Sequence, residues 1–203
     1  MKVLEINSVP YGSTATISYN IAKLARQNGI DCMVAYGYSY HPQIPESEFI
    51  KIGGYCSKSI HLLLSRITGL HGVYSYFATK KFMNKVQDFG PDIIHIHNLH
   101  GWFINIPQLV NYVNKHNIKV VWTLHDCWAF TGHCPYYNLI DCKKWKNECF
   151  DCPIHKQYPQ TDIDRSRKMF NLKKRWFGSI NNLTIVTPSE WLKDQVSESF
   201  LKE

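Results

Sequence analysis

The first 37 residues constrain the fold more than any other part of the chain. KVLEINS (2–8) alternates like a strand and runs into the turn PYGS. TATISYNIAKLARQNG follows, with Ile17, Ile21, Leu24 and Ala25 at helical spacing and Gly29 where a glycine stops a helix. DCMVAYG (31–37) is then a second strand. Strand, helix and strand in so short a span have the size of a βαβ unit.

The alternation continues. Spacing predicts helices over 57–68, about 73–89 and 106–117, and strands within 89–101 and 118–126. A basic helix is expected within 162–180 and a strand over 183–189. A final helix follows, with Ser189 as its N-cap. SYHPQIPESE (39–48) reads as a proline-containing loop. Strands apolar on both faces and separated by helices predict a doubly wound, mainly parallel α/β sheet of Rossmann type, covered on both sides. At 203 residues, 44% apolar and 19% charged, the chain suits one large domain with a real core. The N-terminus lacks a basic segment followed by an apolar stretch, and no apolar run approaches a membrane span. A cytoplasmic location is therefore expected. A net charge of +7 suits nucleic acid, anionic headgroups or phosphorylated small molecules, or serves solubility alone.

In such sheets ligands bind beyond the carboxyl ends of the strands. Three loops therefore matter. In VPYGSTATI, Gly12, Ser13 and Thr14 stand at a helix start and suit a phosphate or sugar hydroxyl; a plain helix cap is the other reading. A lone glycine does not make a dinucleotide fingerprint. HIHNLHG places His95, His97, Asn98 and His100 together. A polar lining for a hydroxyl-rich ligand, histidines satisfied by neighbouring strands, or a metal could each use them. TLHD ends an apolar strand with His125 and Asp126, where an imidazole can orient a hydroxyl or simply cap the strand. No serine elbow accompanies it, which argues against covalent hydrolase chemistry.

Five of the seven cysteines lie between Thr123 and Pro153. Cys134, Cys142, Cys149 and Cys152 are spaced x7, x6 and x2, and four thiolates suit tetrahedral zinc. His133 and His155 could replace a ligand, and Cys127 reads as a packed residue. Reduced cysteines packed beside aromatics, or disulfides, remain open. The CxxC does not open a helix after a strand, so it is not placed like a thioredoxin motif.

YGST, VAYG (34–37), PDIIHIHNLHG (91–101), WTLHDCWAFTGHCPY (122–136), the C-x6-C-x2-C-P run and VTPSEWLKDQV (186–196) occur in that order. Together they resemble the N-terminal domain of the GT-B glycosyltransferases of family 4, especially those of colanic acid and exopolysaccharide synthesis. The resemblance covers nearly the whole chain as one domain (1–203) with a Cys-rich insertion at about 127–160. It implies sugar transfer from a nucleotide-sugar to a glycan or lipid-linked acceptor, with retained configuration. His125 would face the reacting sugar. Gly12, Ser13, Thr14, His97, Asn98, His100 and Asp126 would contact substrate. The donor would be held mainly by a second domain, through a basic pair and a Glu-x7-Glu motif. Glu190 and Glu198 have that spacing but lie in the TPSEWL segment. The chain is thus expected to be a fragment, a truncated product, or one subunit that works with a separate donor-domain polypeptide.

RSRKMFNLKKRW and SKSIHLLLSRITGLHG are amphipathic and basic. They suit peripheral contact with the inner face of the cytoplasmic membrane, or an ordinary solvated helix face. Two other function classes remain: a non-catalytic carbohydrate-binding remnant or scaffold, and a zinc-containing nucleic-acid module. The second conflicts with the α/β alternation and with aromatics scattered through core positions, so no nucleic-acid partner is expected.

Overall fold

The computed structural model describes residues 1–39 and 49–202. The loop expected over 39–48 falls, after Ser39, outside the described residues. Six strands form one parallel sheet: β1 (Lys2–Asn7), β2 (Asp31–Gly37), β3 (Phe49–Ile52), β4 (Ile93–Ile96), β5 (Lys119–Thr123) and β6 (Leu183–Val186). Their order is β3-β2-β1-β4-β5-β6. The chain winds outward from β1 in one direction, then returns to start again at β4. That is the doubly wound topology, and its switch point lies between β1 and β4.

Six helices complete the fold: α1 (Gly12–Gln27), α2 (Tyr55–Thr68), α3 (Tyr76–Phe89), α4 (Ile106–Lys115), α5 (Ser166–Phe177) and α6 (Glu190–Ser197). Ser189 caps α6 by accepting from the Leu192 N–H, as its position predicts. Asn105 does the same for α4 through Gln108. One face of the sheet carries the main core, with Leu4, Ile6, Ile94, Ile96, Val120 and Trp122 pointing into it. The other face holds a smaller cluster in which Ala15 and Ala22 of α1 meet Cys32, Val34 and Tyr36 of β2.

Three features differ from the sequence expectation. Strand β3 was not legible, because FIKI is a four-residue edge strand with one exposed lysine. Helix α1 buries Ala15, Ser18 and Ala22, while Ile17, Ile21 and Leu24 are exposed. Small residues let the helix lie close to β2, so the larger apolar ones are turned to the far side. Finally, the sheet is not fully covered. In β6, Thr184 and Val186 are exposed and Leu183 and Ile185 half-buried, as the edge position allows.

Between β5 and α5 the chain leaves the sheet for 42 residues (124–165) and makes only three single-turn 3-10 helices: Trp128–Phe130, Tyr137–Ile140 and Lys144–Lys146. Aromatic packing holds this segment. Phe130, Tyr137 and Trp145 are buried, with the Trp145 ring 5.1 Å from Phe130 and 4.9 Å from Tyr137. The segment seats on α5, whose Met169, Phe170, Trp176 and Phe177 are buried. The apolar side of the basic helix is therefore consumed by the core and is not free for a membrane. Even Lys173 is fully buried. Its ammonium donates to the carbonyls of Trp128 (2.6 Å) and Thr131 (3.0 Å) and lies 3.5 Å from the centre of the Trp128 ring.

Trp122 links this core to the loop after β4. Its indole N–H donates to the His97 carbonyl at 2.7 Å, and its ring meets Phe177 edge-on at 4.6 Å. Trp122→Phe keeps an aromatic ring but orphans that buried carbonyl. The expected loss is about 1–3 kcal/mol, read as a lower urea midpoint at unchanged m-value. An unchanged midpoint would show that this bond carries no stability.

Candidate active site at the carboxyl edge of the sheet

Glu5 lies in the centre of β1 and is fully buried. Its register partner is His95 on β4, and His97 is two residues further along the same face. The two carboxylate oxygens are divided between these rings: Oε1 lies 3.0 Å from His95 Nδ1, and Oε2 lies 2.8 Å from His97 Nε2. Burial raises the Glu5 pKa, but the hydrogen bonds and attraction of His95 and His97 outweigh it, and the net shift is downward. Glu5 is thus an anion that only accepts, so both imidazoles donate to it.

The remaining protons follow when each imidazole carries one. His95 Nε2 then accepts from the Thr123 hydroxyl at 2.8 Å. When His97 carries one proton, that proton faces Glu5 and Nδ1 is a lone pair. His125 Nε2 lies 2.9 Å from it and must be the donor. The two rings stack, with centroids 5.2 Å apart and planes 15° from parallel. His125 is half-buried at the end of β5, and Nε2 is the one nitrogen it uses among the described contacts. Its Nδ1 lone pair is left for a ligand. Burial, then repulsion from His97, holds its pKa down to about 4. At neutral pH His125 is therefore an acceptor at the end of a Glu5–His97–His125 relay.

A second pair flanks the relay. Asp126 Oδ2 accepts from His100 Nε2 at 2.9 Å, and Oδ1 accepts the Trp128 N–H at 2.8 Å. Burial opposes ionisation of Asp126, but the His100 bond and the Trp128 N–H overcome it and lower its pKa. His100 Nδ1 lies 2.8 Å from the Tyr158 hydroxyl. A third link comes from β1. Asn7 Nδ2 donates to Thr14 Oγ1 (3.2 Å) and to the Val9 carbonyl (3.3 Å), and its Oδ1 accepts the Asn98 N–H at 3.3 Å.

The fold thus gathers most residues singled out from sequence. His97, Asn98, His100, His125 and Asp126 line one small cavity between the ends of β4 and β5. Thr14 is tied to it through Asn7. Gly12 and Ser13 are exposed at the start of α1 and do not line that cavity. The helix-cap reading of Ser13 and Thr14 fails: the N-cap position is Tyr11, with no side-chain cap bond. Gly12 has a φ of +79°, which suits glycine at this turn. Glu5, Asn7 and Tyr158 were not found from sequence. For Glu5 a signal exists, since a lone carboxylate inside an apolar strand needs a buried partner, and HIH is the strand that supplies it. Tyr158 gave no signal, because its contact spans 58 residues.

Among the described residues, Glu5, His95 and His97 are the one set of three potential metal donors within 4.8 Å of one another. Their donor atoms already satisfy each other at hydrogen-bond distances, and the His97 and Glu5 side chains have no exposure. That geometry is a proton-ordered network, not an open metal site. The four cysteines lie elsewhere. They line a separate cavity under the 3-10 segment, and all seven cysteines are free thiols. His155 Nδ1 donates to the Cys152 carbonyl (2.9 Å) and His133 Nε2 to that of Gln157 (3.4 Å), so each spends one ring nitrogen on backbone. Cys127 is buried and packs in the core, as expected.

A doubly wound sheet with a polar cluster at its switch point defines an α/β protein that takes its ligand at the carboxyl edge. The chain belongs to Glycosyltransferase Family 4, whose model matches residues 14–202. It is 26% identical over 209 residues to WcaC of Escherichia coli (strain K12), described as a colanic acid biosynthesis glycosyl transferase; the match covers 96% of this chain and 50% of that protein. The chain therefore spans about half the length of the curated relative it matches. Among the solved structures to which it shows some similarity are the following. UGT71G1 of Medicago truncatula complexed with UDP-glucose has 10% identity and a TM-score of 0.47, covering 97% of this chain and 48% of that one. An alpha-glucosyltransferase in complex with UDP-glucose and DNA containing an abasic site has 13% identity and a TM-score of 0.41, covering 92% and 41%.

The relay makes two linked predictions. By long-range 1H–15N correlation, His125 should be the Nε2–H tautomer and stay neutral until the pH approaches 4. In Glu5→Gln the amide can donate, and we expect His97 to reverse and His125 to change tautomer. The pH dependence has a definite sign. The unfolded chain protonates His125 near 6.5 and the folded chain only near 4, so stability falls as pH drops through that window. His125→Asn should flatten that fall in urea titrations at pH 7 and pH 5. An identical slope in wild type and variant would exclude the depressed pKa.

Proposed function

We propose that this chain is the acceptor-binding domain of a retaining glycosyltransferase that builds a glycan or a lipid-linked saccharide of the exopolysaccharide type. The Glu5–His97–His125 relay is the observation that carries this reading. It presents a neutral imidazole, held rigidly by a buried anion, at the sheet edge where α/β proteins bind ligands. In the reaction the bond between the sugar's anomeric carbon and the donor diphosphate breaks. A bond to the acceptor oxygen forms, and the proton of the acceptor hydroxyl passes to the departing diphosphate. His125 Nδ1 accepts a hydrogen bond from that hydroxyl and orients its oxygen. Asn98, His100 and Asp126 bind other hydroxyls of the acceptor. Gly12, Ser13 and Thr14, at the start of α1, lie against the donor diphosphate, where the positive end of the helix dipole favours negative charge.

The nucleotide-sugar would be held mainly by a second domain, in the same polypeptide or a separate one. The match to about half of WcaC supports that arrangement. Among the described residues no helix is long and apolar enough to cross a membrane. Peripheral contact with the inner face of the cytoplasmic membrane is supported by α2, where Ile60, Leu63 and Ile67 form an exposed apolar stripe beside Lys58 and Arg66.

The test pairs this chain with a donor-binding domain, fused or added, and measures transfer from a panel of nucleotide-sugars to lipid-linked saccharides. Transfer should require both parts. His125→Ala should lower kcat by roughly 10²–10⁴-fold, with KM for the nucleotide-sugar little changed. Robust transfer by the 203-residue chain alone would sink the two-part reading. Full activity of His125→Ala would sink the assigned role.

A further inference from the structure

The four cysteines of the 3-10 segment are not needed by the reaction above, yet the fold brings them together. Cys134, Cys142, Cys149 and Cys152 come from three different turns, and all four line one cavity of about 20 Å³. That is room for one water-sized particle. No disulfide joins them.

Two further features suit sulfur ligands held as thiolates. The Gly132 N–H points at Cys149 Sγ (3.1 Å). Thiolates are strong acceptors of such bonds and thiols weak ones. Gly132 must be glycine for this approach, because a Cβ there would collide with the Ser166 carbonyl and lie 2.6 Å from the Cys149 Cβ. Trp145 also lines the cavity, and its buried indole N–H has no partner among the described residues.

We propose that Cys134, Cys142, Cys149 and Cys152 bind one zinc ion as a structural tetrathiolate. The ion holds together a 42-residue excursion (124–165) that contains no strand. It lies outside the relay cavity, since none of its four ligands lines that cavity. Zinc–sulfur bonds of about 2.3 Å set the sulfurs about 3.8 Å apart. No three of the four come within 4.8 Å of one another in the structure, so binding draws the ring inward. Ligation releases the thiol protons to solvent, and chelators compete for the ion.

The full chain, purified under reducing conditions with zinc in the medium, is assayed by metal analysis and by mass spectrometry of the intact protein. We expect one zinc per chain. Replacing it with cobalt should give the intense sulfur-to-metal charge-transfer bands of a tetrahedral thiolate site, which needs no mutation and so no assumption about variant folding. Cys149→Ser/Cys152→Ser should lose the metal and lower the melting temperature, while Glu5→Gln should retain it. Three results overturn the proposal: no stoichiometric zinc in reduced, metal-replete protein; a mass lowered by two hydrogens per cystine in place of bound metal; or metal retained by the double cysteine variant and lost by Glu5→Gln.

Discussion

A carboxylate without solvent contact sits at the middle of the first strand, and the rest of the candidate site follows from how it is satisfied. Leaving Glu5 unpaired would cost several kcal/mol of lost hydration. Two imidazoles on the next strand prevent that, and parallel register between β1 and β4 makes the pairing possible. Once Glu5 is an acceptor and each imidazole carries one proton, the protons of His95, His97, Thr123 and His125 are determined in turn. A buried anion at the switch point therefore decides which nitrogen His125 offers to the cleft. The stability of the sheet and the readiness of the site rest on the same contacts, so selection on either would preserve both.

How much of this was legible in the sequence depends on the range of the interaction. The Rossmann order rests on local signals: apolar strands, amphipathic helices and the caps at Asn105 and Ser189. The loops at 95–101 and 125–126 were legible because strand ends in such a fold are where ligands bind. Glu5 was not, because its partners lie 90 and 92 residues away and nothing local marks a charge inside a strand as satisfied. Helix α1 shows the complementary failure. Spacing identifies Ile17, Ile21 and Leu24 as one stripe, but it cannot say whether the stripe or the alanine face meets the sheet. A parallel sheet lets small residues take the inner face when the helix lies close, and here they do.

The region after β5 obeys different rules. It contains no strand, so turn hydrogen bonds such as Cys127 N–H to the Pro135 carbonyl satisfy its backbone, and side chains add to them. Lys173 donates to two carbonyls of the excursion, Asp164 accepts the N–H groups of Cys152 and Ser166, and Asp126 accepts that of Trp128. These are charged groups on neutral backbone, the stronger kind of hydrogen bond. From sequence, RSRKMFNLKKRW reads as a basic surface with an apolar underside. In the fold one of its cations is the most enclosed charge in the helix, and its apolar side is core. A charge run counts formal charges; it does not reveal which of them faces inward.

The two halves of TLHDC are thus held from opposite directions. His125 is positioned through the sheet, by a relay that begins at Glu5. Asp126, one residue later, is positioned through the excursion: it accepts the Trp128 N–H and pairs with His100, which Tyr158 contacts in turn. The sheet is rigid by its register, whereas the excursion depends on side-chain packing. A disturbance at the cysteine cavity should therefore reach Asp126 and His100 before His125. His125 is tied to the strands through His97 and Glu5, and Asp126 to the turns that follow it through Trp128 and His100.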